Sequence, residues 1–199
     1  MPTEKTLAAR YAQLDAAEVA LVGGYRSGST PGSQRLRRQQ ILRWSILQHY
    51  EVCPTPLLDV THSLRIAASF AALGDVEDAH VMVIGVPHLS GAVTASADAG
   101  LQIIRLSSVC PPSAVRPHIQ EGYLLGEYPE MARADQKQNY KHYEIDFGRR
   151  LVAKFRFRPR EFWRASKDFP AVGRAALYPT QDPLLGITEA IKAKLTETE

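Results

Sequence analysis

Three polar side chains, Asp59, Thr61 and Ser63, alternate where an extended segment gives way to a run containing Ala67, Ala68, Phe70 and Ala71. A helix starting there offers unpaired N–H groups and the positive end of its dipole, and the hydroxyls add donors. Such a corner suits an anion or a sugar. The same residues have an everyday use, in which Thr61 or Ser63 caps the helix and Asp59 satisfies nearby backbone. Upstream, Cys53 with His49 and His62 raises thiol or metal chemistry. A nucleophilic cysteine needs a lowered pKa and a neighbouring imidazole, and a zinc site would need a further ligand such as His118 or Cys110. A buried, inert Cys53 is the better reading. His49 is then expected to orient the Asp59–Ser63 corner by hydrogen bonding rather than to titrate.

Two basic groups could touch phosphate: Arg35, Arg37, Arg38 and Arg43, and later Lys154, Arg156, Arg158 and Arg160. The alternation of charged and apolar residues from Lys154 to Arg158 is what the solvent face of an edge strand looks like, where charge also blocks aggregation. Phe155, Phe157, Phe162 and Trp163 then read as core rather than as a base-stacking platform. The stretch from Gly23 to Ser33, GGYRSGSTPGS, lacks a Gly-Lys-Ser/Thr cradle and a strand–GxGxxG–helix setting, so it is neither a P-loop nor a dinucleotide fingerprint.

The elements that must position these residues follow from periodicity. Lys5–Ala20 reads as an amphipathic helix that ends near Gly23 and Gly24, with a Gly/Ser-rich loop after it. Arg35–Tyr50 reads as one helix with an apolar face at Leu36, Ile41, Trp44, Leu47 and Tyr50 and a basic outer face. Pro54 and Pro56 interrupt the chain, and Ser63–Leu73 resumes as a helix. His80–Val86, Leu101–Leu106, Gly122–Leu125 and Leu151–Phe157 read as strands, and Glu161–Phe169 and Pro183–Leu195 as closing helices. Helices first and strands later favour α+β, a single domain with a central, mostly antiparallel sheet flanked by helices. The segmentation is 1–34 for the N-terminal helix and loop and 35–199 for the main domain.

Composition bounds the partners. The chain has 199 residues, 24 basic against 21 acidic, for a net charge of +3, too small to hold nucleic acid by charge alone. The longest apolar run, Val81–Val86, is strand-sized, so no membrane helix is expected. With two cysteines and no apolar leader, a reducing cytoplasm is expected.

The stretch Ile46–Ala71, ILQHYEVCPTPLLDVTHSLRIAASFA, resembles the FRG domain family. That family pairs Gln-His, then Pro-Thr, then Leu-Leu-Asp-Trp-Thr, a Ser, and a helix ending in Phe-Ala. Gln48, His49, Pro54, Thr55, Leu57, Leu58, Asp59, Thr61, Ser63, Phe70 and Ala71 carry the likeness. Val60 stands where the family has Trp. Arg116–Tyr123 (RPHIQEGY) and Ala176–Leu184 (ALYPTQDPL) are similar to later blocks of the family, and Tyr25-Arg26-Ser27-Gly28 stands at its Phe-Arg-Gly.

The combined order is similar to the layout of ADP-ribosyltransferases. There an Arg grips the dinucleotide, a Ser-Thr-Ser corner holds the nicotinamide half, and a late Glu binds a ribose hydroxyl. The likeness implies a nucleotide site built from Arg26, Gln48, His49, Asp59, Thr61, Ser63 and Arg116, with Glu121 or Gln120 at the catalytic position. Arg26 and Arg116 would neutralise phosphate, and a carboxylate at Glu121 would stabilise an oxocarbenium-like state. A Gln there would not. NAD is then expected as substrate, with no prosthetic group. The alternative is a non-catalytic module that recognises protein or nucleic acid through the basic helix Arg35–Arg43.

Overall fold

The computed structural model describes residues 3–27, 30–138, 147–165 and 168–197. Helices α1 (Glu4–Ser27), α2 (Ser33–Arg38) and α3 (Gln40–His49) lead into β1 (Leu57–Thr61) and α4 (Leu64–Ala71). Next come β2 (Ala79–Ile84), β3 (Val93–Ser96), β4 (Leu101–Arg105), the short helices α5 (Leu106–Val109) and α6 (Val115–Ile119), and β5 (Gly122–Glu127). After α7 (Ala134–Gln138) and a 3-10 turn at Phe147–Arg150 come β6 (Leu151–Phe157), α8 (Pro159–Arg164), α9 (Arg174–Leu177) and α10 (Pro183–Thr196).

The strands form a four-stranded sheet in the order β1-β5-β4-β3 and a two-stranded sheet of β2 and β6. Every pairing described is antiparallel. The α+β class with a mostly antiparallel sheet and flanking helices is therefore the observed one. Alternation along the strands divides the larger sheet into two faces. Ile104 and Leu124 join the main core with Leu14, Leu21, Trp44 and Ile46, whereas Ile103 and Leu125 form a second cluster on the opposite face with Leu101. In β1, an edge strand, Asp59 pairs opposite Leu124 and Thr61 opposite Gly122, which puts both on the helical face. Leu58 and Val60 point the other way, into the second cluster.

Three expectations about the N-terminal half are corrected. Helix α1 does not stop at Gly23 and Gly24 but runs on to Ser27, because Gly24 lets α10 approach: a Cβ there would meet Ile187 Cγ2 at 2.7 Å. The expected loop is thereby reduced. Of Gly23–Ser33, residues 23–27 are helical, Ser33 begins α2, and residues 28–29 lie outside the described ones. The expected helix Arg35–Tyr50 is two helices, split at Gln39, whose backbone is extended (φ −117, ψ 106). Arg43 makes the break tenable. Its Nη1 donates to the carbonyls of Leu36 (2.9 Å) and Arg37 (3.1 Å), which are orphaned where α2 ends. Its Nε donates to Glu18, a buried carboxylate that also accepts from Gln40 Nε2 and Trp44 Nε1. Arg43 thus ties α1, α2 and α3 together and is lost to the outer basic face.

In the second half, β6 coincides with its expected span, and Lys154 and Arg156 are exposed on it. Arg156 pairs with Asp78 at 2.6 Å and Arg158 with Glu161 at 3.2 Å, exposed contacts that add little stability. Phe157, Phe162, Trp163 and Phe169 form a ring cluster. Phe155 departs from expectation: it is 56% exposed, because its strand belongs to a sheet of only two. No helix among the described residues is long and apolar enough to cross a membrane.

Candidate functional site

The last turn of α3 delivers Gln48 and His49 to the edge of β1. His49 is buried, and its Nδ1 lies 3.1 Å from Asp59 Oδ1, so the expected hydrogen bond from the imidazole to the corner is present. Gly122, opposite Thr61, makes the approach feasible. A Cβ there would meet Leu106 Cδ1 at 2.9 Å and His49 Cε1 at 3.2 Å. Gln48 Oε1 accepts from the Thr55 hydroxyl at 2.7 Å, which ties the proline-rich turn to the same helix.

Beyond β1 the corner closes on itself. The Ser63 N–H donates to Thr61 Oγ1 at 3.1 Å, and the Ile66 N–H to Ser63 Oγ at 3.4 Å, which makes Ser63 the N-cap of α4. Both oxygens are spent as acceptors, and a hydroxyl in that position still has its hydrogen to give.

Arg116, on α6, is a buried cation in this region, with a side chain only 9% exposed. Its backbone N–H donates to Asp182 Oδ2 at 2.9 Å, and its guanidinium packs over the rings of Tyr178 (4.7 Å) and Tyr50 (5.4 Å). Nη2 donates to Glu51 Oε1 at 2.6 Å, while Nε is buried without a partner. Asp182 also accepts from the Tyr50 hydroxyl at 2.8 Å and from Leu184 N, so it caps α10 and holds Tyr50 beside the arginine. Burial, followed by that hydrogen bond, pushes the Tyr50 phenol well above its ordinary pKa.

These pieces enclose a cavity of about 750 Å³ that wraps the open edge of β1. Gln48, His49, Asp59, Thr61, Ser63, Arg116 and Gln120 all line it, and β2 together with Ala67 and Phe70 of α4 supplies an apolar wall. Gln120 is buried, with Nε2 donating to Leu177 O at 2.7 Å. Glu121 is not on the wall. Its carboxylate pairs with His62 Nε2 at 2.7 Å, and His62 in turn lines the cavity. Asp59 and Glu51 are the carboxylates of the wall itself. Arg26 lies in the last turn of α1, and its side chain falls outside the described residues.

Sequence reasoning missed Glu51, Tyr50 and Tyr178. Tyr50 was counted on the apolar face of a longer helix, and Tyr178 sat within a block already singled out, two residues after Ala176. Glu51 gave no signal, because it is placed by a turn of positive φ (56°) after α3. The thiol chemistry does not survive. Cys53 and Cys110 are both buried, and burial pushes the Cys53 thiol up to about 11 and Cys110 higher. No group of three or more His, Cys, Asp or Glu among the described residues could hold a metal ion.

The model of the FRG domain matches residues 3–79, so the resemblance read from the sequence is borne out as a family match over that stretch. The match takes in Gln48, His49, Asp59, Thr61 and Ser63, while Arg116, Gln120 and Glu121 lie beyond it. No curated protein and no solved structure matches the chain.

Proposed function

We propose that the cavity is a nucleotide site and that the chain acts on NAD there, passing ADP-ribose to an acceptor or to water. The observation that carries this reading is convergence. Gln48 and His49 from α3, Asp59 and Thr61 from β1, Ser63 at the cap of α4, and Arg116 and Gln120 around α6 line one cavity. The volume of about 750 Å³ is within the usual range for small-molecule sites, roughly 300–1,000 Å³. Buried Arg116 supplies positive charge for phosphate, the hydroxyls of Thr61 and Ser63 supply donors for ribose or amide, and the apolar wall suits a flat ring.

In the reaction, the bond between ribose C1′ and the pyridinium nitrogen breaks. Its electron pair leaves with the ring, so neutral nicotinamide departs and positive charge grows on the sugar. A carboxylate fixed beside C1′ stabilises that charge. An acceptor oxygen then bonds to C1′ and releases its proton to solvent. Asp59 joins Glu121 as a candidate for the carboxylate, because it is on the wall. The likeness in layout to ADP-ribosyltransferases, and the position of Arg26 in it, belong to this reading. No prosthetic group enters it.

The test is incubation with NAD, with nicotinamide release and calorimetric binding followed together. Release is expected, and either Glu121→Gln or Asp59→Asn should lower it at least a hundredfold with binding retained. Absence of both release and binding would overturn the reading. The alternative module is narrowed to exposed Arg35, Arg37 and Arg38, since Arg43 is committed to Glu18. It would be favoured if Glu at Arg37 and Arg38 abolished capture of a partner while Thr61→Ala did not.

A further inference from the structure

The pairing of Arg116 with Glu51 is unequal. The arginine side chain is 9% exposed and the glutamate 60%. A buried guanidinium needs a counter-charge, and the two tyrosine rings beneath this one contribute only their π faces. Of the charged groups that meet Arg116, Glu51 is its ion-pair partner among the described residues, and it reaches in from the solvent side on a backbone of positive φ. Both residues line the cavity, as does Tyr178. A second guanidinium, on exposed Arg174, lies 5.2 Å from the centre of the Tyr178 ring and has no acidic partner among the described residues. Tyr178 thus lies against two cations, and Glu51 is the carboxylate that meets the Arg116 guanidinium, while buried Asp182 is spent on the Arg116 backbone, the Tyr50 hydroxyl and the start of α10.

We propose that Glu51 is an internal occupant of an anion subsite: it holds the Arg116 guanidinium until a phosphate or pyrophosphate group enters the cavity and takes its place. The proposal deepens the nucleotide reading and rests on it for the identity of the ligand, though not for the chemistry of the subsite. Exchange is feasible because Glu51 is largely solvated and can swing outward without unpacking the core. Arg116 cannot follow, since its backbone N–H is held by Asp182 and its guanidinium lies over Tyr50 and Tyr178. A fixed cation with a removable carboxylate favours a polyvalent oxyanion that fills more of its donors than one glutamate does. Self-occupation also lowers apparent affinity by the fraction of molecules in which the site is open. A ligand with a single weak negative charge gains little from the exchange.

The experiment compares wild-type protein with Glu51→Gln, using inorganic pyrophosphate, ADP and NAD as probes in calorimetry, and thermal unfolding as a second readout. Glu51→Gln alters an exposed side chain, so a folded variant is expected. It should bind pyrophosphate and ADP about tenfold more tightly than wild type. Without ligand it should unfold at a lower temperature, with saturating pyrophosphate raising that temperature more than in wild type. Arg116→Lys, which keeps the charge but not the fork, should weaken both probes in either background. Equal affinity of wild type and Glu51→Gln for ADP overturns the internal occupant and leaves the nucleotide site standing. Tighter pyrophosphate binding by Glu51→Gln with no binding of ADP or NAD upholds the subsite and overturns the nucleotide reading. No binding of any probe to either protein overturns both.

Discussion

Gly122 leaves so little room that the geometry of the corner can be tested through it. A methyl group there would press on Leu106 and on the imidazole that faces Asp59. Overpacking of this kind costs about 1–3 kcal/mol, so Gly122→Ala should lower stability by that amount in denaturant unfolding. It should also weaken any ligand of the cavity, because His49 must move. A Gly122→Ala protein with unchanged stability and binding would show that His49 is not held as described. At this scale the sequence was informative where residue types alternate. Asp59, Thr61 and Ser63 could be picked out because a strand entering a helix places them together, and Ser63 does cap α4. Glu51 was silent because a positive φ in a turn leaves no mark on residue spacing. Glu121 was marked by its place after Arg116, but the turn that carries it, also at positive φ (47°), directs its carboxylate to His62.

Among the elements, periodicity found strands and helices with a clear apolar face and failed where a tertiary contact overrode local preference. Gly23 and Gly24 read as a helix end, since glycine is a poor helix former, yet packing against α10 keeps α1 going to Ser27. Strand β1 went unnamed as a strand because Pro54 and Pro56 precede it and its burial does not alternate. The break between α2 and α3 was hidden because Arg43 looked like a surface residue. Its partner Glu18 is 6% exposed and accepts hydrogen bonds from Gln40, Arg43 and Trp44, so removing it strands three donors. Loss of one partner of a buried pair costs about 3–5 kcal/mol. Glu18→Ala should therefore cut unfolding free energy by that much, far beyond a typical surface change. A loss below about 1 kcal/mol would mean that α1 is not pinned to α3 through this carboxylate.

On the scale of the whole molecule, the two sheets do different work. The four-stranded sheet carries the helical core on one face, and its free β1 edge turns the polar corner outward. In the smaller sheet, β2 completes the other wall of the cavity together with α4, and β6 backs it by pairing with β2. Sequence order made the α+β class legible, but the meeting of residues from α3, β1 and α6 around one space depends on strand order, which periodicity does not reveal. A ligand that binds only the folded chain stabilises it by about 2.7 kcal/mol at a hundredfold excess over its Kd, so occupancy should be visible in thermal unfolding as well as in crystals. The most direct measurement is a crystal structure determined with saturating ADP-ribose or NAD. The account predicts density in the cavity at the β1 edge, with phosphate oxygens on Arg116, Glu51 swung away, and ribose against Thr61 and Ser63. A cavity that stays empty at saturation, or a nucleotide bound elsewhere on the chain, would contradict it.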